Sequence, residues 1–318
     1  MRGSLPVLFL VSALAAAGPL AALTPDVRFS GIAHDALFDV DITPDRTLAV
    51  GLAGTVLESR DGGAVWTRLD GIPTPLALNG VAVQGSLAVA VGQMGVIVRQ
   101  TADGQWVEVD SPTTERLMQV ALHPSGHAVA VGAFGTLLRS TDAGASWSVA
   151  APDWQTVTDQ GFEPHLYAVD IAVDGTVTVA GEFGLILRSG KAGDDWEVLR
   201  SGEASLFGLH LRADGLGYAV GQSNTILKTT DGGDSWKAVT EPGKVVWLNV
   251  RADGQGRVYV TGIREMASSS DGGRHWTRHT NNELGALWLA GLDQPEGADR
   301  AGVLAVGQGG FVLSITPD

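Results

Sequence analysis

Residues 229–236 read TTDGGDSW, and the same spacing of Asp, Gly and Trp returns in SSDGGRHW at 269–276, STDAGASW at 140–147 and SRDGGAVW at 59–66. In such a segment the Asp side chain can accept backbone N–H bonds, and the Gly adopts a positive φ at little cost. The Trp then starts a strand and can bury its ring between strands or blades. We therefore expect one rigid turn, the Asp-Gly-Trp corner, with a structural role for Asp61, Trp66, Asp142, Trp147, Asp231, Trp236, Asp271 and Trp276.

A second motif keeps the same period. It is a short β-like run that ends in Gly, two variable residues, a second Gly or a substitute, and another β-like run, as in VAVGQMGVIVRQ. The first glycines are Gly51, Gly92, Gly132, Gly181, Gly221, Gly262 and Gly307, which lie 41, 40, 49, 40, 41 and 45 residues apart. We name this motif the Gly-x-x-Gly turn. A period near forty with four short strands per unit is typical of propeller blades.

The number of units predicts how the ring closes. Seven units have strands one to three, but only six have a Trp-led fourth strand. The segment VRFSGIAHDAL resembles the tail of a blade, so residues 26–33 are predicted to supply the missing outer strand. The expectation is an all-β, seven-bladed propeller of four-stranded blades, with residues 24–318 as one domain and the last blade completed by the N-terminal strand.

The N-terminal segment and the composition restrict the setting. Residues 1–23 have one positive charge at Arg2 and a short apolar run interrupted by Gly18 and Pro19, which predicts a secretory signal peptide. The expected location is periplasmic or secreted, with peripheral membrane association as an option. The net charge of −14 argues against nucleic acid as a partner, and the absence of cysteine excludes disulfides and zinc–thiolate sites.

Strand parity predicts that the turns after strands two and four share one face of the disc. This face carries the Gly-x-x-Gly turns and an insertion, APDWQTVTDQGFEPHL, between blades three and four. Exposed aromatic residues on turns indicate a contact surface for a protein partner, although the insertion could instead fold over Phe134 and Phe183. The candidate contact residues are Gln93, Met94, Phe134, Trp154, Phe162, Glu182, Phe183, Gln222, Asn224, Arg264, Glu265 and Gln308.

Two further sets of polar residues have two interpretations each. A basic belt near the ends of third strands could meet carboxylates on a partner, or its members could pair with local acids; it comprises Arg99, Arg139, Arg188 and Lys228. Polar residues of first strands could bind an ion or a sugar in the axial channel, or could simply line a hydrated channel; they are Asp39, Asp41, Asp170, His210 and Asn249. No catalytic residues, metal site or cofactor is predicted.

The pattern S-x-D-x-G-x-x-W is the Asp-box, or bacterial neuraminidase repeat, and Ser59–Trp66 matches it in full. The longer pattern VGxxGtilrStDgGxsW, in seven copies over residues 26–318, resembles the photosystem II stability/assembly factor family. That resemblance implies a seven-bladed, non-enzymatic assembly factor, expected as a monomer, that binds a subunit of a membrane complex on the lumenal or periplasmic side.

The alternative is an Asp-box glycoside hydrolase related to sialidases or glucanases, although the chain has only three tyrosines and no Phe-Arg-Ile-Pro motif.

Overall fold

The computed structural model describes residues 23–158, 161–190, 193, 195–240, 243–279, 287–294 and 302–317. The predicted signal peptide lies outside these residues, apart from Leu23. Within the described part of the chain, no helix is both long enough and apolar enough to cross a membrane.

The chain forms seven antiparallel sheets of four strands, arranged as the blades of a propeller. In chain order the strands are β1 (Leu23–Phe29); β2 (Leu37–Ile42), β3 (Thr47–Gly51), β4 (Val56–Ser59) and β5 (Thr67–Arg68) in blade one; β6 (Leu78–Gln84), β7 (Leu87–Gly92), β8 (Ile97–Gln100) and β9 (Trp106–Val109) in blade two; β10 (Leu117–Leu122), β11 (Ala128–Gly132), β12 (Leu137–Ser140) and β13 (Ser148–Val149) in blade three; β14 (Leu166–Ile171), β15 (Val177–Gly181), β16 (Ile186–Ser189) and β17 (Trp196–Arg200) in blade four; β18 (Leu206–Leu211), β19 (Gly217–Gly221), β20 (Ile226–Thr229) and β21 (Lys237–Ala238) in blade five; β22 (Trp247–Ala252), β23 (Val258–Gly262), β24 (Met266–Ser269) and β25 (Thr277–His279) in blade six; and β26 (Leu289–Asp293), β27 (Val303–Gly307) and β28 (Val312–Pro317) in blade seven.

Short helical segments interrupt the strands at only a few places in the described residues. Three are 3-10 turns, Leu52–Gly54, Gln93–Gly95 and Glu182–Gly184, and each lies in a Gly-x-x-Gly turn. The fourth is α1 (Trp154–Val157), one turn of helix in the insertion between blades three and four.

The hydrophobic core lies between the blades. Second strands such as β3 and β11 are buried at every position, because each blade is covered on both faces by its neighbours. One core cluster joins Val50 of blade one to Leu78 and Val98 of blade two, and another joins Val91 of blade two to Leu117 of blade three. Apolar side chains on both faces of a blade therefore stack the sheets around the axis.

The N-terminal strand closes the ring, as the sequence predicted. Strand β1 pairs antiparallel with β28, in the sheet order β1–β28–β27–β26, with Leu23 opposite Pro317 and Val27 opposite Leu313. The closing strand spans residues 23–29 rather than the predicted 26–33, so it starts three residues earlier. Its first residue, Leu23, is buried in the core of blade seven, which explains the earlier start.

The two kinds of turn lie on opposite faces of the disc. The Gly-x-x-Gly turns contact the connections between blades, as Gly54 does with Leu76. The Asp-Gly-Trp corners contact the turn after strand one of their own blade, as Ala143 does with Gly126. We name these surfaces the turn face and the corner face.

Candidate partner-binding face

The Gly-x-x-Gly turns are held by backbone hydrogen bonds. In all seven blades the residue after the first Gly donates its N–H to the carbonyl just before strand one; Gln93 donates to Ala77 at 2.9 Å and Ala133 to Arg116 at 2.9 Å. A Cβ on Gly92 would lie 1.9 Å from the Ala77 carbonyl oxygen, so no other residue fits there. Because the backbone holds the turn, the side chain of its third residue is free to vary.

The third residue of every Gly-x-x-Gly turn has a positive φ. It is Gly309 in blade seven, but a non-glycine residue elsewhere, including Met94 at 53°, Phe134 at 50° and Phe183 at 55°. A left-handed backbone costs such a residue about 1 kcal/mol, and strain of this kind clusters at functional sites. These three side chains are 68%, 57% and 50% exposed, so burial does not offset the strain.

The insertion between blades three and four supports these turns without covering them. Trp154 is only 7% exposed, packs among the core residues of blades three and four, and donates its Nε1–H to the Gly135 carbonyl at 3.2 Å. The prediction of Trp154 as a contact residue is therefore corrected: its ring supports the Phe134 turn from below. Phe162 is 38% exposed and makes an edge-on contact with Phe183, with ring centroids 4.8 Å apart.

Three rings that the sequence analysis did not select form a chain of ring contacts with Phe134, beside the separate contact of Phe162 with Phe183. Phe134 contacts His165 at 4.7 Å, His165 lies 6.3 Å from Tyr167, and Tyr167 contacts Phe207 at 4.8 Å. We name the set the aromatic crescent: Phe134, Phe162, His165, Tyr167, Phe183 and Phe207. The available signal was the position of Tyr167 and Phe207, which are each the second residue of a first strand, where the strand register shifts.

Several polar candidates on the turn face form hydrogen bonds or ion pairs within the protein. The side-chain oxygens of Gln93, Glu182 and Gln222 accept the backbone N–H groups that precede strand one, from Ala77, His165 and Ser205 respectively. Asn224 Oδ1 accepts the indole N–H of Trp247 at 3.0 Å, and Glu265 pairs with Arg278 at 3.4 Å. Arg264 and Gln308 are exposed.

The basic belt connects neighbouring blades on the corner face. Arg99 Nε donates to the Ala143 carbonyl at 2.8 Å, and Lys228 Nζ donates to the Gly272 carbonyl at 2.6 Å. Arg188 pairs with Asp234, and Arg139 also has an interaction partner. The three acceptors named here lie in the Asp-Gly-Trp corner of the next blade, so the basic side chains stabilise packing between blades.

The Asp-Gly-Trp corners are held by their side chains. In blade three, Ser140 Oγ donates to Asp142 and accepts the Gly144 N–H at 2.9 Å, while Trp147 Nε1 donates to the Gly144 carbonyl at 3.1 Å. Equivalent bonds occur around Asp61, Asp231 and Asp271, with Trp66, Trp236 and Trp276. The Ser146 hydroxyl and backbone N–H groups lower the pKa of Asp142 to about 2.

Polar side chains of the first strands join each blade to the next around the axis. Asp39, Asp41, Asp170 and Asp293 accept backbone N–H groups of the neighbouring first strand, from Val81, Val83, Leu211 and Ile42. The remaining blade interfaces use Asn79, Gln119, His210 and Asn249, which bond to Leu117, Val169, Ala252 and Ala290. The predicted channel residues are therefore inter-blade contacts that also line the channel.

The channel has an unusual electrostatic balance. Arg251 donates its Nε–H to Asp293 at 2.7 Å and lies beside Asp39 and Asp170. Burial raises the pKa of Asp39 to about 7, and burial together with Asp293 raises the pKa of Asp41 to about 8. On the corner face the channel widens into a cavity of about 830 Å³ lined by Asp41, Asp170 and Arg251, among others. No group of three or more His, Asp or Glu side chains suited to a metal occurs among the described residues.

Comparison with known proteins finds a matching family model and many similar solved structures. The family described as "Photosynthesis system II assembly factor YCF48" matches residues 98–208. No curated protein matches the chain.

Three solved structures illustrate the fold. "YCF48 bound to D1 peptide" has a TM-score of 0.70 and 17% identity, and covers 94% of this chain and 100% of that one. "YCF48 from Cyanidioschyzon merolae" has a TM-score of 0.71 and 19% identity, with coverage of 93% and 99%. The GH74 xyloglucanase from Xanthomonas campestris has a TM-score of 0.71 and 15% identity, and covers 92% of this chain but 53% of the enzyme.

At these identities the three structures support the propeller fold alone, including the likeness to the xyloglucanase. The family model matches residues 98–208, which lie in blades two to five. The resemblance to the photosystem II assembly-factor family, first recognised in the repeated Gly-x-x-Gly and Asp-Gly-Trp motifs, is thereby confirmed.

Proposed function

We propose that this chain is an exported, non-enzymatic propeller that binds a protein client across its turn face and helps to assemble a membrane complex. The observation that carries the proposal is the pair Phe134 and Phe183, which stay half-exposed at strained positive φ on turns that need neither side chain. The family match supports a protein-binding role, as does the likeness to a YCF48 structure that holds a D1 peptide. The client proposed here is a subunit of a membrane complex.

The test is a pair of matched double variants. Phe134→Gly with Phe183→Gly removes both rings and relieves the left-handed strain, so the fold should be retained with little change in stability. Val65→Ala with Val173→Ala removes two exposed apolar side chains, 65% and 80% exposed, from the corner face. Each protein is used to capture clients from a membrane extract of its host.

The expected result is that the wild type and the valine variant recover the same membrane-complex subunit, whereas the phenylalanine variant recovers at least about tenfold less. Equal recovery by all three proteins would show that the client does not use the turn face. Size-exclusion chromatography with light scattering checks that the protein used for the capture is the proposed monomer.

Export is tested separately. Cell fractionation and N-terminal sequencing should find a processed chain outside the cytoplasm, with Leu23 retained because it is buried in the closing strand. A cytoplasmic chain that keeps Met1 would contradict this part of the proposal.

Glycoside hydrolysis remains the second candidate, because the xyloglucanase shares the propeller fold and because Asp41 and Asp170 line one cavity. Each of these carboxylates also accepts a backbone N–H of the next blade, a structural use. Assays on xyloglucan, β-glucans and sialosides decide between the candidates: turnover by the wild type that Asp41→Asn abolishes would favour the hydrolase.

A further inference from the structure

The aromatic crescent lies in acidic surroundings. The turns and connections that carry it span residues 110–116, 132–135, 150–158, 161–165, 181–184 and 200–205. They contain six carboxylates, Asp110, Glu115, Asp153, Glu163, Glu182 and Glu203, and two guanidinium groups, Arg116 and Arg200. Arg200 donates to the Gly184 carbonyl at 2.8 Å, whereas Asp110, Asp153, Glu163 and Glu203 are exposed. Arg116 is exposed as well, so four exposed carboxylates outnumber one exposed guanidinium group. An apolar surface edged by this excess of exposed carboxylates favours a partner that is apolar and cationic.

The size of the crescent limits the shape of that partner. Its path from Phe134 to Phe207 follows three successive ring separations of 4.7, 6.3 and 4.8 Å. An extended segment rises ~3.3 Å per residue, so about five residues cover this path. Alternate side chains of an extended segment point the same way, so three of the five would meet the rings.

The surface also disfavours a lipid occupant. A chain with a net charge of −14 is repelled by anionic membranes. The turns and connections that carry Phe134 and Phe183 contain six carboxylates and only two guanidinium groups, whereas an excess of Lys and Arg accompanies membrane-binding aromatic residues.

From this geometry we infer that the aromatic crescent binds an extended client segment that carries large apolar side chains on alternate residues and Lys or Arg at both ends. The inference rests on the proposed function, which supplies the client, and adds the chemistry by which the client is recognised. The rings supply most of the affinity through desolvated apolar contact, and the carboxylates select against acidic flanks.

The test uses the full chain and three fluorescein-labelled peptides. The first is Lys-Leu-Ser-Phe-Ser-Leu-Lys, the second replaces both Lys by Glu, and the third keeps both Lys but replaces the apolar residues by Ser. Fluorescence anisotropy measures the Kd of each peptide at low and at high salt. The proteins are the wild type, the Phe134→Gly/Phe183→Gly variant, and a Glu163→Gln/Glu203→Gln variant that alters only exposed charge.

The first peptide should bind the wild type at least about tenfold more tightly than either of the others, and this preference over the Glu-flanked peptide should shrink at high salt. The phenylalanine variant should lose about tenfold in affinity for the first peptide. The Glu163→Gln/Glu203→Gln variant should lose a few-fold for that peptide and gain for the Glu-flanked one. Absence of binding, or equal binding of the Lys- and Glu-flanked peptides, would overturn the inference.

Two further outcomes separate this inference from the proposed function. If the phenylalanine variant loses the membrane client while the peptides show no preference, the proposed function stands and the recognition chemistry is wrong. If wild-type protein sediments with vesicles containing phosphatidylserine and the phenylalanine variant does not, the crescent is a lipid-binding surface and the inference is wrong.

Discussion

The turn face of this propeller repeats a set of backbone hydrogen bonds, whereas the corner face repeats a set of side chains. On the turn face, seven Gly-x-x-Gly turns share a backbone and its hydrogen bonds, while their middle side chains range from Ala53 to Phe134 and Arg264. On the corner face, the described corners share side chains, because Asp142, Ser140 and Trp147 and their counterparts hold the turn themselves. A turn held by its backbone can change its surface without changing its shape, whereas a turn held by side chains cannot. The turn face is therefore where a repeated fold can acquire a specific partner.

The largest expected loss of stability comes from a substitution that disturbs the backbone of the turn face. Gly92→Ala would place a Cβ 1.9 Å from the Ala77 carbonyl oxygen, in a position where only backbone movement can relieve the clash. We expect a loss of more than about 4 kcal/mol in the free energy of unfolding, measured by chemical denaturation, or failure to fold.

Gly62→Ala is the matched control on the corner face. Gly62 has φ of 73° and no atom within 4 Å of a built Cβ, so only the left-handed strain of about 1 kcal/mol applies. Similar losses for the two variants would show that the close approach at Gly92 does not explain the motif.

The next effect concerns the axis, which joins the two faces. Arg251→Met removes the cation beside Asp39, Asp170 and Asp293, and we expect a cost of about 3 kcal/mol at pH 8. Asp39 and Asp41 have folded-state pKa values raised to about 7 and about 8, so the stability they contribute is present below pH 4 and is lost as pH rises toward 8. The cost of Arg251→Met should therefore be smaller at pH 5, where both groups bind protons.

Denaturation of the wild type and the variant at a series of pH values measures this difference. Arg212→Met, at the mouth of the same cavity and paired with the exposed Asp214, removes the same charge. Its cost should vary little over this pH range, and an equal slope for the two variants would contradict the assignment to the axial carboxyl groups.

A smaller loss of stability is expected from a substitution that removes a side-chain contact on the corner face. Ser140→Ala deprives the buried Gly144 N–H of its acceptor and the Asp142 carboxylate of one of its donors, at a cost of about 2 kcal/mol in denaturation experiments. Ser148→Ala changes an exposed hydroxyl in the next strand and should cost less than about 0.5 kcal/mol. A negligible cost for Ser140→Ala would mean that the corner, like the turn face, is held by its backbone.

The smallest effect on stability sharpens the comparison. Met94→Gly removes a 68% exposed side chain from φ of 53°, and relief of strain should offset the greater freedom of the unfolded chain, for a net change within about 0.5 kcal/mol. Val65→Gly, which changes an exposed Val outside the left-handed region, should cost about 1 kcal/mol by the same measurement. A larger cost for Met94→Gly would show that its side chain helps to hold the turn.

Most of the fold could be predicted because its cause is periodic. Glycines such as Gly92 recur because a carbonyl oxygen occupies the space that a Cβ would need, and their regular spacing is visible in the sequence. The first residue of the closing strand could not be predicted, because Leu23 is buried by residues of blade seven, at the far end of the chain. The sequence therefore predicted the closure but not its register.

The site was predicted in part, for a related reason. Phe134 and Phe183 could be placed on one face by strand parity, whereas the burial of Trp154 depends on how the insertion folds under the Phe134 turn. The contributions of His165 and Phe207 depend on contacts across blades, which no single repeat encodes. The basic belt resembled a binding surface in the sequence because the carbonyls that Arg99 and Lys228 contact are backbone groups of another blade.

The pairing of Leu23 with Pro317 makes the two ends of the described chain immediate neighbours. Paired Cα atoms of antiparallel strands lie only about 5 Å apart. Energy transfer between fluorophores attached near these residues therefore reports whether β1 is paired with β28. Until β1 docks, β28 presents a bare row of N–H and C=O groups that another strand could join. The same pairing that completes the molecule therefore also occupies the hydrogen-bonding edge of β28.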